Sequence, residues 1–187
     1  MTIPNTEMVK RILPNATEIF EIKTGGQKAV FRAADNDYGT VVVKIMLPDG
    51  SGDRLNREID IVSSNDFPNV PKIHNHGTFD IDEIQCVFII EQYIEGSDLR
   101  EVLSKNSRLT IEETIRLIEG LLKTVTALEM CGVVHRDIKP ENILCSLDGK
   151  YWLLDFGIAR DLRQSSLTIT AAHFGPHTAG YAAREQF

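Results

Sequence analysis

The chain has 187 residues, 42% of them hydrophobic and 25% charged, so it is long enough to bury a core. Its formal net charge of −7 argues against nucleic acid or an anionic membrane surface as the main partner. No apolar run reaches the roughly 18 residues of a membrane-spanning helix, and residues 1–7 do not have the basic and apolar regions of a signal peptide. The three cysteines show no C-x-x-C spacing and fit reduced thiols, so we expect a cytoplasmic protein.

The sequence of the first half of the chain predicts a short lead-in segment followed by an antiparallel sheet. Residues 1–15 are expected to form a helix or an extension that ends near Pro14. A helix is predicted at Ser51–Ser63, with apolar residues on one face. Five segments that alternate or run apolar, with many β-branched residues, predict strands. They are Ile19–Lys23, Ala29–Ala33, Thr40–Met46, Val70–Phe79 and Ile84–Tyr93.

The second half predicts a mainly helical region. A linker-like stretch at 91–96 precedes a short helix from Asp98 to about Leu103. Thr110 and Glu113 form a capping box, which opens a long amphipathic helix that runs to Met130. The apolar positions of this helix recur at spacings of three and four. They are Ile111, Ile115, Ile118, Leu122, Val125 and Leu128.

The most informative segment is the octapeptide His-Arg-Asp-Ile-Lys-Pro-Glu-Asn at 135–142. It places the carboxylate of Asp137, the ammonium of Lys139 and the amide of Asn142 on one tight loop. A second carboxylate, Asp155, follows the amide after thirteen residues. Phosphoryl transfer needs a group that faces the attacking hydroxyl and hard oxygen ligands that hold Mg²⁺ on the phosphates. These four residues are therefore the candidate catalytic and metal-binding set.

These motifs resemble the catalytic loop and metal-binding motif of eukaryotic-like (Hanks-type) serine/threonine protein kinases. The resemblance implies that Asp137 accepts or orients the proton of the substrate hydroxyl, and that Lys139 neutralises charge on the transferring phosphoryl group. It also implies that Asn142 and Asp155 bind Mg²⁺, which Mn²⁺ can replace, with ATP as the phosphoryl donor. Lysine at 139 resembles the serine/threonine branch, so the expected partner is a protein substrate with a serine or threonine hydroxyl.

The upstream half resembles the same family in the expected order. Lys44 ends a buried strand, as the family's phosphate-binding lysine does, and Glu58 lies where a helix glutamate pairs with that lysine and aims it. Taken singly, both would be ordinary solvated charges. The resemblance further implies that the adenine site lies between two lobes, where apolar residues hold the base. Each of these residues could equally be an ordinary core residue. Its candidate residues are Ile22, Val30 and Val42 on one side, Leu144 on the other, and the backbone near Gln92 and Ile94.

Two segments depart from the family's pattern. In the phosphate-covering loop, only Gly25 falls on a family glycine, and Gly26 is an extra one. These glycines could bring backbone N–H groups near phosphate, or form an ordinary hairpin turn. In the linker, the alignment puts Glu91 at the position that guards the back of the nucleotide pocket. A shift of one residue would place Ile90 there instead.

The resemblance implies an α+β, protein-kinase-like fold with two lobes. The N-terminal lobe, about 15–91, is a five-stranded antiparallel sheet with one helix. A linker at 92–97 leads to a partial, mainly helical C-terminal lobe at 98–187. Residues 178–187 resemble the end of an activation segment, after which a family domain continues with more helices. We therefore expect the 110–130 helix and the catalytic loop to expose an apolar face. We also expect low activity of the chain alone, and either self-association or a partner chain that completes the lobe.

Three functions stay open at this point. The first is phosphoryl transfer to protein hydroxyls, which the intact motif residues and the full activation segment favour. The second is a nucleotide-binding, kinase-like interaction module with little activity alone, and the third is a small-molecule phosphotransferase of the same fold. The hydroxyls at 165–170 suggest control by phosphorylation through Arg136, although an ordinary loop has the same composition.

Overall fold

The computed structural model describes residues 4–25, 28–47, 59–81, 84–155 and 181. The chain divides into two compact units. The first comprises Met1–Gly52 and Lys72–Tyr93, and the second comprises Asp53–Pro71 and Ile94–Phe187. Among the described residues, no helix is both long and apolar enough to span a membrane.

The first unit is built on a five-stranded antiparallel sheet, as predicted. The order across the sheet is β1-β2-β3-β5-β4. The fourth strand begins later than predicted because Pro71 has no N–H to give to a strand ladder. The strands are β1 (Thr17–Thr24), β2 (Lys28–Asp35), β3 (Gly39–Met46), β4 (Ile73–Ile81) and β5 (Ile84–Gln92).

One face of this sheet carries the hydrophobic core of the unit. The lead-in forms helix α1 (Thr6–Ile12), which begins where the Asn5 side chain accepts hydrogen bonds from the N–H groups of Glu7 and Met8. Alternate residues of β2 and β3 are buried in one cluster with residues of α1. The cluster includes Met8, Val9, Phe31, Val41, Val43, Ile45 and Ile90.

The opposite face of the sheet carries the lysine that the sequence singled out. The register places Lys44 opposite Val30 on β2 and opposite Ile89 on β5. One row further along, Val42 lies opposite Glu91. Val42 and Lys44 are two residues apart on β3 and therefore share a face. Residues directly opposite each other also share a face, so Glu91 lies on the same side of the sheet as Lys44.

The second unit combines helices with a small sheet. Helix α2 is described at 59–63, so the predicted helix is confirmed there, and its residues 51–58 lie outside the described ones. The sequence did not predict the three-stranded antiparallel sheet, whose order is β6-β7-β8. Its strands are β6 (Gly96–Asp98), β7 (Ile143–Ser146) and β8 (Tyr151–Leu153).

Two capped helices follow β6. In α3 (Leu99–Asn106) the Asp98 carboxylate accepts from the Glu101 N–H at 2.8 Å. The helix runs past the predicted end, and Ser107 then adopts a φ of 61°. In α4 (Ile111–Met130) the predicted capping box is confirmed. The Glu113 carboxylate accepts from the Thr110 N–H at 2.7 Å, and the Thr110 hydroxyl accepts from the Glu113 N–H at 3.2 Å.

Much of the apolar stripe of α4 is exposed. Ile111, Ile115, Ile118 and Leu122 are 76%, 50%, 52% and 61% exposed. Thr124 and Leu128, nearer the C-terminal end of the helix, are buried. Val134, in the segment leading to the catalytic loop, is also exposed. The predicted exposure of an apolar face is therefore confirmed.

Candidate active site

The loop at 133–139 connects α4 to a short 3₁₀ helix, Pro140–Asn142, and is anchored by a buried histidine. His135 donates a hydrogen bond from Nε2 to the Leu154 carbonyl at 2.8 Å. Its Nδ1 accepts from the backbone N–H of Asp137 at 3.3 Å. A ring that donates at Nε2 and accepts at Nδ1 is the neutral tautomer. This ring fixes the backbone of Asp137 and joins the loop to the end of the β8 segment.

Three of the predicted site residues are in direct contact. The Asn142 amide donates from Nδ2 to the Asp137 carbonyl at 2.7 Å and to the Asp137 Oδ2 at 3.1 Å. The Lys139 ammonium lies 2.8 Å from the same Oδ2. One amide donor and one ammonium thus orient the carboxylate.

Asp155 is joined to this cluster through the residue that precedes it. The Leu154 N–H donates to the Asn142 carbonyl at 2.8 Å, while the Leu154 carbonyl accepts from His135. Asp155 itself has a φ of 54°, and Arg136, beside Asp137, has a φ of 65°. Left-handed backbone is uncommon for residues other than glycine and costs about 1–3 kcal/mol. The chain therefore adopts unfavourable backbone at Asp155 and at the residue directly before Asp137.

The chemistry of these residues fits a magnesium ion. Because the Asn142 Nδ2 donates to Asp137, the atom with which this side chain can bind a cation is its Oδ1. Asp155 adds carboxylate oxygens on the neighbouring segment. Amide and carboxylate oxygens are the hard ligands that Mg²⁺ takes from proteins, usually one or two beside substrate phosphates and waters.

In the first unit, Lys44 forms a buried ion pair with Glu91. The Lys44 Nζ lies 2.5 Å from the Glu91 Oε1, and the two side chains are 9% and 11% exposed. Ile90, the alternative for the guarding position, faces the core. Glu91 is therefore the residue on the Lys44 face. The predicted partner, Glu58, lies outside the described residues.

The candidate nucleotide residues belong to both units. In the first unit, Ile22 is half-exposed on β1, and Val30 and Val42 lie half-buried on the Lys44 face. Gln92 ends β5, and its N–H donates to the Lys72 carbonyl at 2.8 Å. In the second unit, Ile94 and Leu144 are both half-buried, and Leu144 pairs with Asp98 and Trp152 across the small sheet.

Several predicted features lie in or beside parts that the structure does not describe. Gly26 lies outside the described residues, as do the activation-segment residues 156–180 and 182–187. Gly25 is described, and its N–H donates to the Lys28 carbonyl, at the start of β2, at 2.8 Å.

Sequence reasoning missed one polar cluster beside the loop. Arg100 on α3 donates from Nε to the Glu141 carboxylate at 2.8 Å and from Nη2 to the Tyr181 hydroxyl at 2.8 Å. The hydrogen bond from Arg100 holds the pKa of the Glu141 carboxyl below its usual range. Glu141 directly precedes Asn142, so this ion pair anchors the 3₁₀ helix to α3. Its partners lie too far apart in sequence for any spacing to reveal it.

Comparisons with known proteins agree with this geometry. The protein kinase domain model matches residues 18–186. A probable serine/threonine-protein kinase of Streptomyces coelicolor is 33% identical over 168 residues, which are 87% of this chain and 25% of the relative. The probable serine/threonine-protein kinase PknB of Bifidobacterium longum is 34% identical over 176 residues, which are 88% of this chain and 26% of the relative. The serine/threonine-protein kinase PknA of Mycobacterium tuberculosis is 30% identical over 172 residues, which are 88% of this chain and 39% of the relative. The chain thus spans about a quarter of the length of the first two relatives.

Proposed function

Because the chain belongs to the protein kinase family, we propose that it transfers the γ-phosphoryl group of ATP to serine or threonine hydroxyls of a protein substrate. The observation that carries the proposal is the contact cluster of Asp137, Lys139 and Asn142. A positioned carboxylate beside a cation and a metal-type ligand is the set that phosphoryl transfer requires. The names of the relatives, serine/threonine-protein kinases, support the class of acceptor.

Each residue of the cluster has one task in this proposal. Asp137 orients the acceptor hydroxyl and takes its proton, and Lys139 neutralises charge on the transferring group. Asn142 and Asp155 would hold Mg²⁺, or Mn²⁺ in its place. When bound, the ion neutralises charge on the ATP oxygens. Lys44 contributes a point charge to the phosphates.

Transfer of labelled phosphate tests the proposal. The chain is incubated with γ-labelled ATP, Mg²⁺ and a generic protein acceptor, and incorporation is compared with that of Asp137→Asn. We expect Asp137→Asn to reduce transfer by about 10²-fold or more, the lower end of general-base contributions. Asp148→Asn is the matched control, since it removes an exposed carboxylate of the β7–β8 turn. Transfer that is equal in wild type and Asp137→Asn would overturn the proposal.

The same assay separates the two alternatives. A nucleotide-binding interaction module would bind Mg-ATP and label no acceptor. A small-molecule phosphotransferase would label a small hydroxyl compound and leave the protein acceptor unlabelled. Only a protein kinase would transfer label to the protein acceptor and lose that transfer in Asp137→Asn.

The exposed face of α4 supports a second part of the proposal, self-association of this chain through that helix. Four exposed apolar side chains at helical spacing lie on one surface, whereas a monomer ordinarily exposes such residues singly. Light scattering should then give a mass above the 21.0 kDa of one chain. Ile118→Glu should return the protein to a monomer. A stable monomeric wild type that turns over at the ~1–100 s⁻¹ typical of kinases would contradict this part.

A further inference from the structure

The ion pair between Lys44 and Glu91 sets the place of the lysine. Both residues are buried, and their charged atoms are 2.5 Å apart. Their partnership is fixed by the β3–β5 register, in which Val42 faces Glu91 and Lys44 faces Ile89. On one face of an antiparallel pair, long side chains reach diagonal neighbours as well as direct ones.

The core on the other face prevents this register from slipping. Val43 and Ile90 are direct partners across β3 and β5, and both are fully buried in the core that α1 covers. A slip of one residue would exchange the two faces of a strand. It would bring Lys44 into the core and Val43 out of it. The backbone of Glu91 is therefore held at a fixed place relative to the backbone of Lys44.

An ammonium can serve this carboxylate and a phosphate together. Lysine has three N–H donors, so one ammonium can bond to a carboxylate and to a phosphate oxygen at the same time. Its flexible four-carbon stem does not aim it. A buried cation also needs a counter-charge in order to stay charged. Glu91 meets both needs from a neighbouring strand.

We propose that Glu91 is a positioning residue for Lys44, which it aims at the nucleotide phosphates from within the sheet. The inference rests on the proposed function, because it needs Mg-ATP as the ligand. It adds a second carboxylate to the one expected at Glu58. Because β5 is part of the rigid sheet, we expect Glu91→Gln to weaken Mg-ATP binding.

Calorimetric titration of Mg-ATP into a set of variants tests the inference. Misplacing a group by about an ångström can cost ~10²-fold in function, so we expect Glu91→Gln to weaken binding by about tenfold or more. Adding Glu91→Gln to Lys44→Met should weaken binding no further, because Glu91 acts through Lys44. Glu91→Asp keeps the charge and should recover part of the loss. Asp80→Asn, which removes an exposed carboxylate from the same sheet, is the control and should bind as wild type does.

Two results would overturn the inference while the proposed function stands. One is wild-type or tighter binding by Glu91→Gln, and the other is an equal loss from Glu91→Gln with Lys44 present or absent. If Glu91→Gln does not fold by circular dichroism, Glu91→Asp decides, since wild-type affinity in that variant would overturn the inference. A folded wild type that binds no Mg-ATP at millimolar nucleotide would instead remove the proposed function, and the inference with it.

Discussion

Replacing Lys44 by methionine should destabilise the protein strongly, apart from any effect on nucleotide. The substitution keeps the length and the apolar stem of the side chain but removes the cation that contacts Glu91. Both side chains are about nine-tenths buried, so water replaces this lost contact poorly. Breaking a buried ion pair by removing one member costs about 3–5 kcal/mol. That is a large part of the ~5–15 kcal/mol that stabilises a typical domain.

Urea denaturation followed by circular dichroism measures this cost. The matched control is Lys105→Met, which removes the lysine of an exposed pair with Glu101 on α3. A pair of that kind on a helix surface contributes only about 0.3–0.5 kcal/mol. The double variant Lys44→Met/Glu91→Met should recover much of the loss, because apolar replacement of a whole buried pair is often neutral or stabilising.

A cost of less than about 1 kcal/mol for Lys44→Met, as for a surface pair, would contradict a stabilising buried ion pair. A double variant that is destabilised by the sum of the two single substitutions would contradict it too, since contacting residues should be coupled. A confirmed cost has a practical consequence. Loss of activity in a Lys44 variant would then reflect a smaller folded fraction as well as the loss of the lysine charge from the site.

Two smaller predictions concern the second unit. Thr110→Ala removes the hydroxyl of the capping box and should destabilise the protein by about 1 kcal/mol in thermal unfolding, and an unchanged melting temperature would contradict the assigned cap. Burial raises the pKa of the Cys145 thiol to about 11, so its thiolate is scarce at pH 8. Its alkylation, followed by mass spectrometry, should be slow there and accelerate about tenfold per pH unit up to that value. A rate that levels off near pH 9 would show that Cys145 is an ordinary exposed thiol.

The α+β, protein-kinase-like fold was predictable because its signals are local. Alternation and β-branched residues marked all five strands of the large sheet, and the capping residues Thr110 and Glu113 marked the start of α4. The contact of Asp137, Lys139 and Asn142 was also predictable, since all three lie within six residues of chain. The family match confirms the fold class.

Features that depend on tertiary pairing were not predictable. Strand β6 has only three residues, too few to show alternation, and exists because it pairs with β7. The Lys44–Glu91 pair depends on the register of two strands that are not consecutive in sequence. The sequence showed Glu91 only as an unexpected charge. It could not show which cation lies beside it.

The most direct test of the central claim is calorimetric titration of Mg-ATP into the wild type, Asp137→Asn and Asp155→Asn. We expect that the wild type binds, that Asp137→Asn binds within a few fold of it, and that Asp155→Asn binds much more weakly. The physical reason is that Asp137 faces the acceptor hydroxyl, whereas Asp155 holds the metal on the nucleotide. Equal loss in both variants, or a folded wild type that shows no binding at millimolar nucleotide, would contradict the account.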